Sequence, residues 1–248
     1  MSFDISELLS QWDYQPGKLS VRKFHAKDGT EKIQLRIDLG LLQMNAEGRP
    51  DGKKPFGHGT LLEHLQAQHK KLGDKFKLSA EDCAKLHQEA IQFHHRYICL
   101  FQIDDFTGVL FDTERNLEAM HFVNEHAPSE DHASPFKLFL PQLMMMHTRA
   151  RASLDLRDKL FEQAIDIIET GIEALRNFFK DNSRHELLES SSELQSLEKW
   201  LAEIKSTRPL SPREKLENAL NEAVAREDFE KAAEVRDALK ALKQATTD

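Results

Sequence analysis

Sliding the chain against itself by 55 residues lays Arg96 on Arg151, Phe106 on Phe161, Leu110 on Ile165, Leu117 on Ile172 and Glu118-Ala119 on Glu173-Ala174. Two copies of one pattern call for two copies of one supersecondary unit, stacked so that each covers the apolar face of the other. Within the first copy, Cys83, Leu86, Ala90, Phe93, Tyr97 and Leu100 recur every three or four residues, the face of one long helix. Ser79 stands before it as N-cap, with Asp82 three residues on. A second helix, "FTGVLFDTERNLEAMHFV", follows Asp104-Asp105. After a loop expected to carry Pro128 and Pro135, "LPQLMMMHTRARASLDL" and "FEQAIDIIETGIEALRNFF" repeat the arrangement. One more helix is expected around Trp200, closing the open end of the layer. The fold class is therefore mainly α, with antiparallel helical pairs at its centre.

Apolar residues make up 40% of the 248 and charged residues 31%, at a mean hydropathy of -0.57, enough for a core beneath many solvated faces. The formal charge of -8 opposes broad adhesion to nucleic acid or anionic lipid. Cys83 and Cys99 match neither a zinc ribbon nor a redox CxxC pair, and both fall in helical pattern as small buried residues. No apolar run approaches the ~20 residues a membrane span needs, and "MSFDISELLSQW" is unlike a secretion signal. A cytoplasmic chain with reduced thiols is expected.

Before the helices the period changes to two. "KLSVRKFHA" and "EKIQLRIDLGLLQM" flank "KDGT", where Asp28 and Gly29 suit a tight hairpin. In the second arm Ile33, Leu35 and Ile37 alternate with Gln34, Arg36 and Asp38, predicting one buried and one wet face. A helix is read from Thr60 to Leu72. Between lies "NAEGRPDGKKPFGHGT", broken by Gly48, Pro50, Gly52, Pro55, Gly57 and Gly59. It fails as a P-loop, since three residues separate Gly48 from Gly52 and Lys53 precedes Lys54 rather than Ser or Thr. Two readings remain open. One is a structural loop anchored by Pro50, Pro55 and Phe56. The other is a candidate anion site of Arg49, Lys53, Lys54 and His58, with Lys70 and Lys71 beyond, serving a nucleic acid or a small ligand.

At the far end, Pro209 and Pro212 mark a linker, and Ser211, Pro212 and Glu214 read as N-cap, first position and third position of a helix. Leu216, Leu220 and Ala223 form one narrow stripe. After Glu227-Asp228, residues Phe229, Ala232, Ala233, Arg236, Leu239 and Leu242 form another. A two-helix hairpin of this length buries too little by itself to offset the entropy of ordering it, so both stripes call for a partner.

Two resemblances attach to these residues. "FEQAIDIIETGIEAL" and "FTGVLFDTERNLEAM" resemble the second helix of a tetratricopeptide unit, although the period is 55 residues rather than ~34. The spacing of Leu216, Leu220, Ala223, "EDFE", Ala232-Ala233, "RD" at Arg236-Asp237 and Leu242 resembles the UVR motif of the excision-repair proteins UvrB and UvrC. That motif also occurs in Clp-type ATPases and in the activator of a protein arginine kinase. The resemblance implies a helical hairpin that pairs with another such hairpin through Leu216, Leu220, Ala223, Phe229, Ala232, Ala233, Arg236, Leu239 and Leu242. It further implies a bacterial docking protein tied to DNA repair or to Clp-type stress proteolysis.

Nothing else points to catalysis. The 12 histidines give no zincin spacing: His64 and His69, like His121 and His126, are five apart, and His94-His95 face different sides of a helix. There is no Gly-x-Ser-x-Gly elbow, and Cys99 after His94 and His95 makes no dyad. Met144 to Met146 read as core filling. The expectation is a non-enzymatic adaptor without metal or cofactor. Its partner is another protein or a second copy, in a homodimer, and no membrane is involved. Three segments are expected: 1–78 with hairpin, loop and helix; 79–205 with the helical pairs; and 206–248 with the linker and terminal hairpin.

Overall fold

The computed structural model describes residues 4–210 and 212–245, with side chains for 4–210 and 213–240. It divides into two compact units, Met1–Leu201 and Ala202–Asp248.

The first unit begins with a short helix α1 (Ser6–Ser10) and a three-stranded antiparallel meander, β1 (Ser20–His25), β2 (Glu31–Ile37) and β3 (Gly40–Asn45). The β1–β2 turn forms where the sequence places it: Gly29 has φ 80°, and the Asp28 carboxylate accepts from the Thr30 N–H at 2.9 Å. The arm read as one strand from Glu31 to Met44 is instead two. Asp38-Leu39 turns the chain so that Ile37 pairs with Gly40. Asp38 is a common turn residue but Leu39 is not, and the turn is held by Arg36, whose guanidinium donates to the carbonyls of Ile37, Asp38 and Gly40. The expected wet face also fails. Gln34 and Arg36 on the central strand are buried, with Arg36 Nε donating to the Trp12 carbonyl at 2.9 Å, whereas Ile37 is exposed.

Helix α2 (Leu61–Leu72) starts at Thr60, whose side chain accepts from the Glu63 N–H. The repeat then appears as two helical hairpins, α3 (Ala80–Gln102) with α4 (Phe106–His126), and α5 (Glu130–Arg157) with α6 (Phe161–Asp181). Ser79 and Asp82 cap α3 reciprocally. The two hairpin turns match at a 55-residue offset. Asp104 (φ 57°) and Lys159 (φ 62°) both take the left-handed conformation, and the next N–H, of Asp105 or Leu160, reaches back to Leu100 or Asp155 at 2.9 and 2.8 Å. Pro135, expected in a loop, lies inside α5 with Pro141. Each removes one main-chain donor, a loss the packing of so long a helix absorbs.

Helix α7 (Leu187–Ser190) leads to α8 (Ser192–Thr207), which buries Leu194 and Leu197. The half-buried Trp200 receives the Arg149 guanidinium over its ring at 4.8 Å. Cys83 and Cys99 are buried thiols, and burial pushes Cys99 up to about 12.

Candidate functional site

The second unit carries α9 (Pro212–Ala225) and α10 (Phe229–Ala245). Arg208 clamps the first turn of α9, donating through both terminal nitrogens to the Glu214 carboxylate at 2.8 and 2.5 Å. The Ser211 cap and the Leu242 side chain lie outside the described residues. The turn is the one already met twice: Glu227 has φ 58°, and the Asp228 N–H reaches the Ala223 carbonyl at 2.9 Å. Asp228 then caps α10, accepting from the Lys231 N–H at 3.1 Å.

All three of these turns lead into a phenylalanine: Phe106, Phe161 and Phe229. Phe106 is half-buried, edge-on to Phe101 at 5.5 Å, and Phe161 is half-buried too. Phe229 is 72% exposed, and Val224 before the turn is exposed too. Along the facing stripes, Ala223 is buried and Leu216, Leu220, Ala232, Ala233 and Leu239 are half-buried, while Arg236 is exposed. The helices thus cover each other in part and leave Phe229 bare at the turn end. The charge pairs here, such as Arg213–Glu217 at 2.6 Å, are exposed and add little stability.

Residues 212–245 match the UvrB/uvrC motif. No curated protein and no solved structure matches the chain. The match spans α9, the Glu227 turn and all of α10, so every residue of the two stripes lies in the UVR hairpin.

Of the candidate anion residues, the four lysines are exposed, His58 is half-buried and Arg49 lies against the buried Glu89. Lys53 and Lys54 are exposed on the loop, and Lys70 and Lys71 are exposed in the last turn of α2. His58 sits edge-on to His64, and Phe56, offered as an anchor, is instead 73% exposed and stacked on His64 at 4.1 Å. Its φ of 53° is rare for a bulky residue and costs on the order of 1–3 kcal/mol. Arg49 turns inward. Its Nε lies 3.2 Å from the buried Glu89 carboxylate and 3.3 Å from Asp51, close enough to pair by charge although its N–H is aimed at neither.

Arg49 leads to a buried ionic cluster that pattern reading missed. Glu89, fully buried, accepts from the Leu61 and Leu62 N–H groups at 2.8 and 3.3 Å, capping α2, and also from Arg115. Arg96 forks onto Asp112 at 2.8 and 2.6 Å and donates to the carbonyls of Asn45 and Gly48 at 3.0 and 2.7 Å. The Arg96 and Arg115 guanidinium groups both stack on Phe93, at 5.0 and 4.4 Å. Burial pushes the Asp112 carboxyl above its ordinary range, against the opposing pull of Arg96 and Arg115. The cluster pins the glycine-rich loop and the start of α2 onto α3 and α4. Removing one partner would strand a buried charge, at a cost of about 3–5 kcal/mol.

A signal for it was present in the repeat. Where the second copy has Met144, Ile167 and Thr170, the first has Glu89, Asp112 and Arg115, charges on core-facing helical spacing. Among the described residues no group of three or more His, Cys, Asp or Glu is placed to hold a metal ion, and no helix is long and apolar enough to cross a membrane.

Proposed function

We propose that the chain is a non-enzymatic, cytoplasmic adaptor that docks another protein, or a second copy of itself, through the UVR hairpin. One observation carries this reading: the hairpin uses the turn of the two internal hairpins, yet Phe229 is open to solvent where Phe106 and Phe161 are half-buried. An aromatic ring fixed at a rigid turn, beside a stripe of half-buried leucines and alanines, is the composition of an interface anchor. Pairing of two such hairpins would cover Phe229 and the outer edges of both stripes, which makes a homodimer the simplest assembly. A nucleic-acid role has less support, because Arg49 is already engaged with Glu89.

The test is sedimentation of the full chain with and without Phe229→Asp. Wild type is expected to associate with itself or with an added UVR-bearing protein, and the variant to lose that association while keeping its helical circular dichroism. Association that survives the substitution, or wild type that binds neither, would remove the reading.

A further inference from the structure

Phe56 sits at the apex of a tight turn, Pro55–Gly57, with φ 53° and ψ 24°, a left-handed conformation that glycine takes freely and phenylalanine only under strain. The turn is held by two hydrogen bonds: the Gly57 N–H donates to the Lys54 carbonyl at 3.2 Å, and the His58 N–H to the Pro55 carbonyl at 2.9 Å. Burial does not offset the strain, since the residue is 73% exposed. One face of the ring lies on the His64 imidazole, 4.1 Å away and within 18° of parallel, which leaves the outer face to solvent. His64 stands in the first turn of α2, where Gln68 Nε2 lies 3.0 Å from its Nε2. Lys71 follows three residues later on the same face, about 10 Å along the axis from His64.

Lys53 and Lys54 immediately precede the turn. Between Lys53 and Lys77 six lysines stand against two carboxylate residues, Glu63 and Asp74. All six are exposed, and among the described residues none is paired with a carboxylate, unlike Lys23, Lys85 and Lys137. In a chain of formal charge -8 this stretch is a local cationic exception. We propose that it binds single-stranded nucleic acid, with one unpaired base stacked on the outer face of Phe56 and the neighbouring phosphates on Lys53, Lys54 and Lys71. A rigid, exposed ring calls for a flat π-face and unpaired lysines call for anions, and a nucleotide unit carries both. A duplex hides its base faces, so only a strand can use the ring. A free nucleotide would engage one base and one phosphate group, whereas the cationic track continues along α2 past the ring. Arg49, turned to Glu89, takes no part, and the contact adds to the docking role of the hairpin.

The experiment uses the full chain and a fluorescein-labelled oligothymidine of about 15 nucleotides. At about 50 mM salt, anisotropy is expected to show saturable binding below about 100 µM that weakens as salt rises. Phe56→Gly should weaken it about fivefold or more while the melting temperature stays level or rises, because glycine removes both the platform and the strain. Lys53→Gln and Lys54→Gln together should reduce the slope of log affinity on log salt by about 1.4, for two lost phosphate contacts. Phe229→Asp should bind as wild type does. No saturable binding below that concentration overturns the proposal, as does an unchanged slope in the double lysine variant. So does a Phe56→Gly chain that binds as tightly as wild type, or one that melts earlier, since the ring would then be a clasp for the loop. Binding lost in Phe229→Asp would place the strand on the hairpin instead. The same strand annealed to its complement, or a polyglutamate of equal charge, that binds equally well would show that charge alone is read. Thymidine monophosphate that displaces the strand at equal concentration would make a free nucleotide the ligand. Each of these last three results also overturns it.

Discussion

His94 on α3 is half-buried, its Nδ1 2.6 Å from the Tyr97 hydroxyl and its ring near Phe139. Burial, helped by the neighbouring His95, lowers its pKa to about 4. In the unfolded chain the ring takes up a proton near pH 6.5, so between there and about 4 the unfolded state binds more protons than the folded one. The stability tied to neutral His94 is complete above pH 6.5 and is lost as the pH falls toward 4. Urea midpoints measured across that window should decline for wild type and decline less for His94→Gln; equal slopes would mean that the ring stays hydrated. His87 and His147 are lowered in the same direction by burial, so some slope remains in the variant. Histidine counts hid this, because spacing along the chain tests for metal ligands and says nothing about which rings are enclosed. The same holds for Glu89, whose type marks it as a surface residue and whose position makes it a helix cap.

At the scale of elements, the close approach of α5 and α6 depends on Gly171. A Cβ there would come within 2.4 Å of Thr148 Oγ1 and 2.5 Å of its methyl carbon, both on a buried side chain. Gly171→Ala should therefore destabilise the protein by about 1–3 kcal/mol, although alanine is the better helix former. Chemical denaturation would read this, and a neutral or stabilising effect would show that the helices part easily. Helix positions were legible because caps and periodicity are local: Ser79 with Asp82, and apolar residues every three or four positions. The third strand was not, because Asp38-Leu39 offers a single common turn residue and the turn is held by Arg36 gathering carbonyls. Pro135 misled for a similar reason, since its local preference yields to the packing of a 28-residue helix.

For the whole molecule, the two units differ in what holds each together. The first has a continuous core that runs from Ile33 and Leu62 through Phe122 to Leu143. In the hairpin, among the described side chains of residues 213–240, only Ala223 is buried. Its helices should melt below the main transition, at a temperature that rises with protein concentration, because association is coupled to their folding. A chain ending at Thr207 should lose that early transition and keep the main one, and concentration-independent melting of the full chain would contradict the coupling. The sequence by itself determined the helical repeat, the terminal hairpin and its stripes, because these rest on local periodicity, capping and turn chemistry. Only the tertiary structure decided that Arg49 faces Glu89 and not solvent, and that Phe56 and Phe229 are bare. Burial and charge pairing depend on which segments meet across long stretches of chain, and no local pattern encodes that meeting.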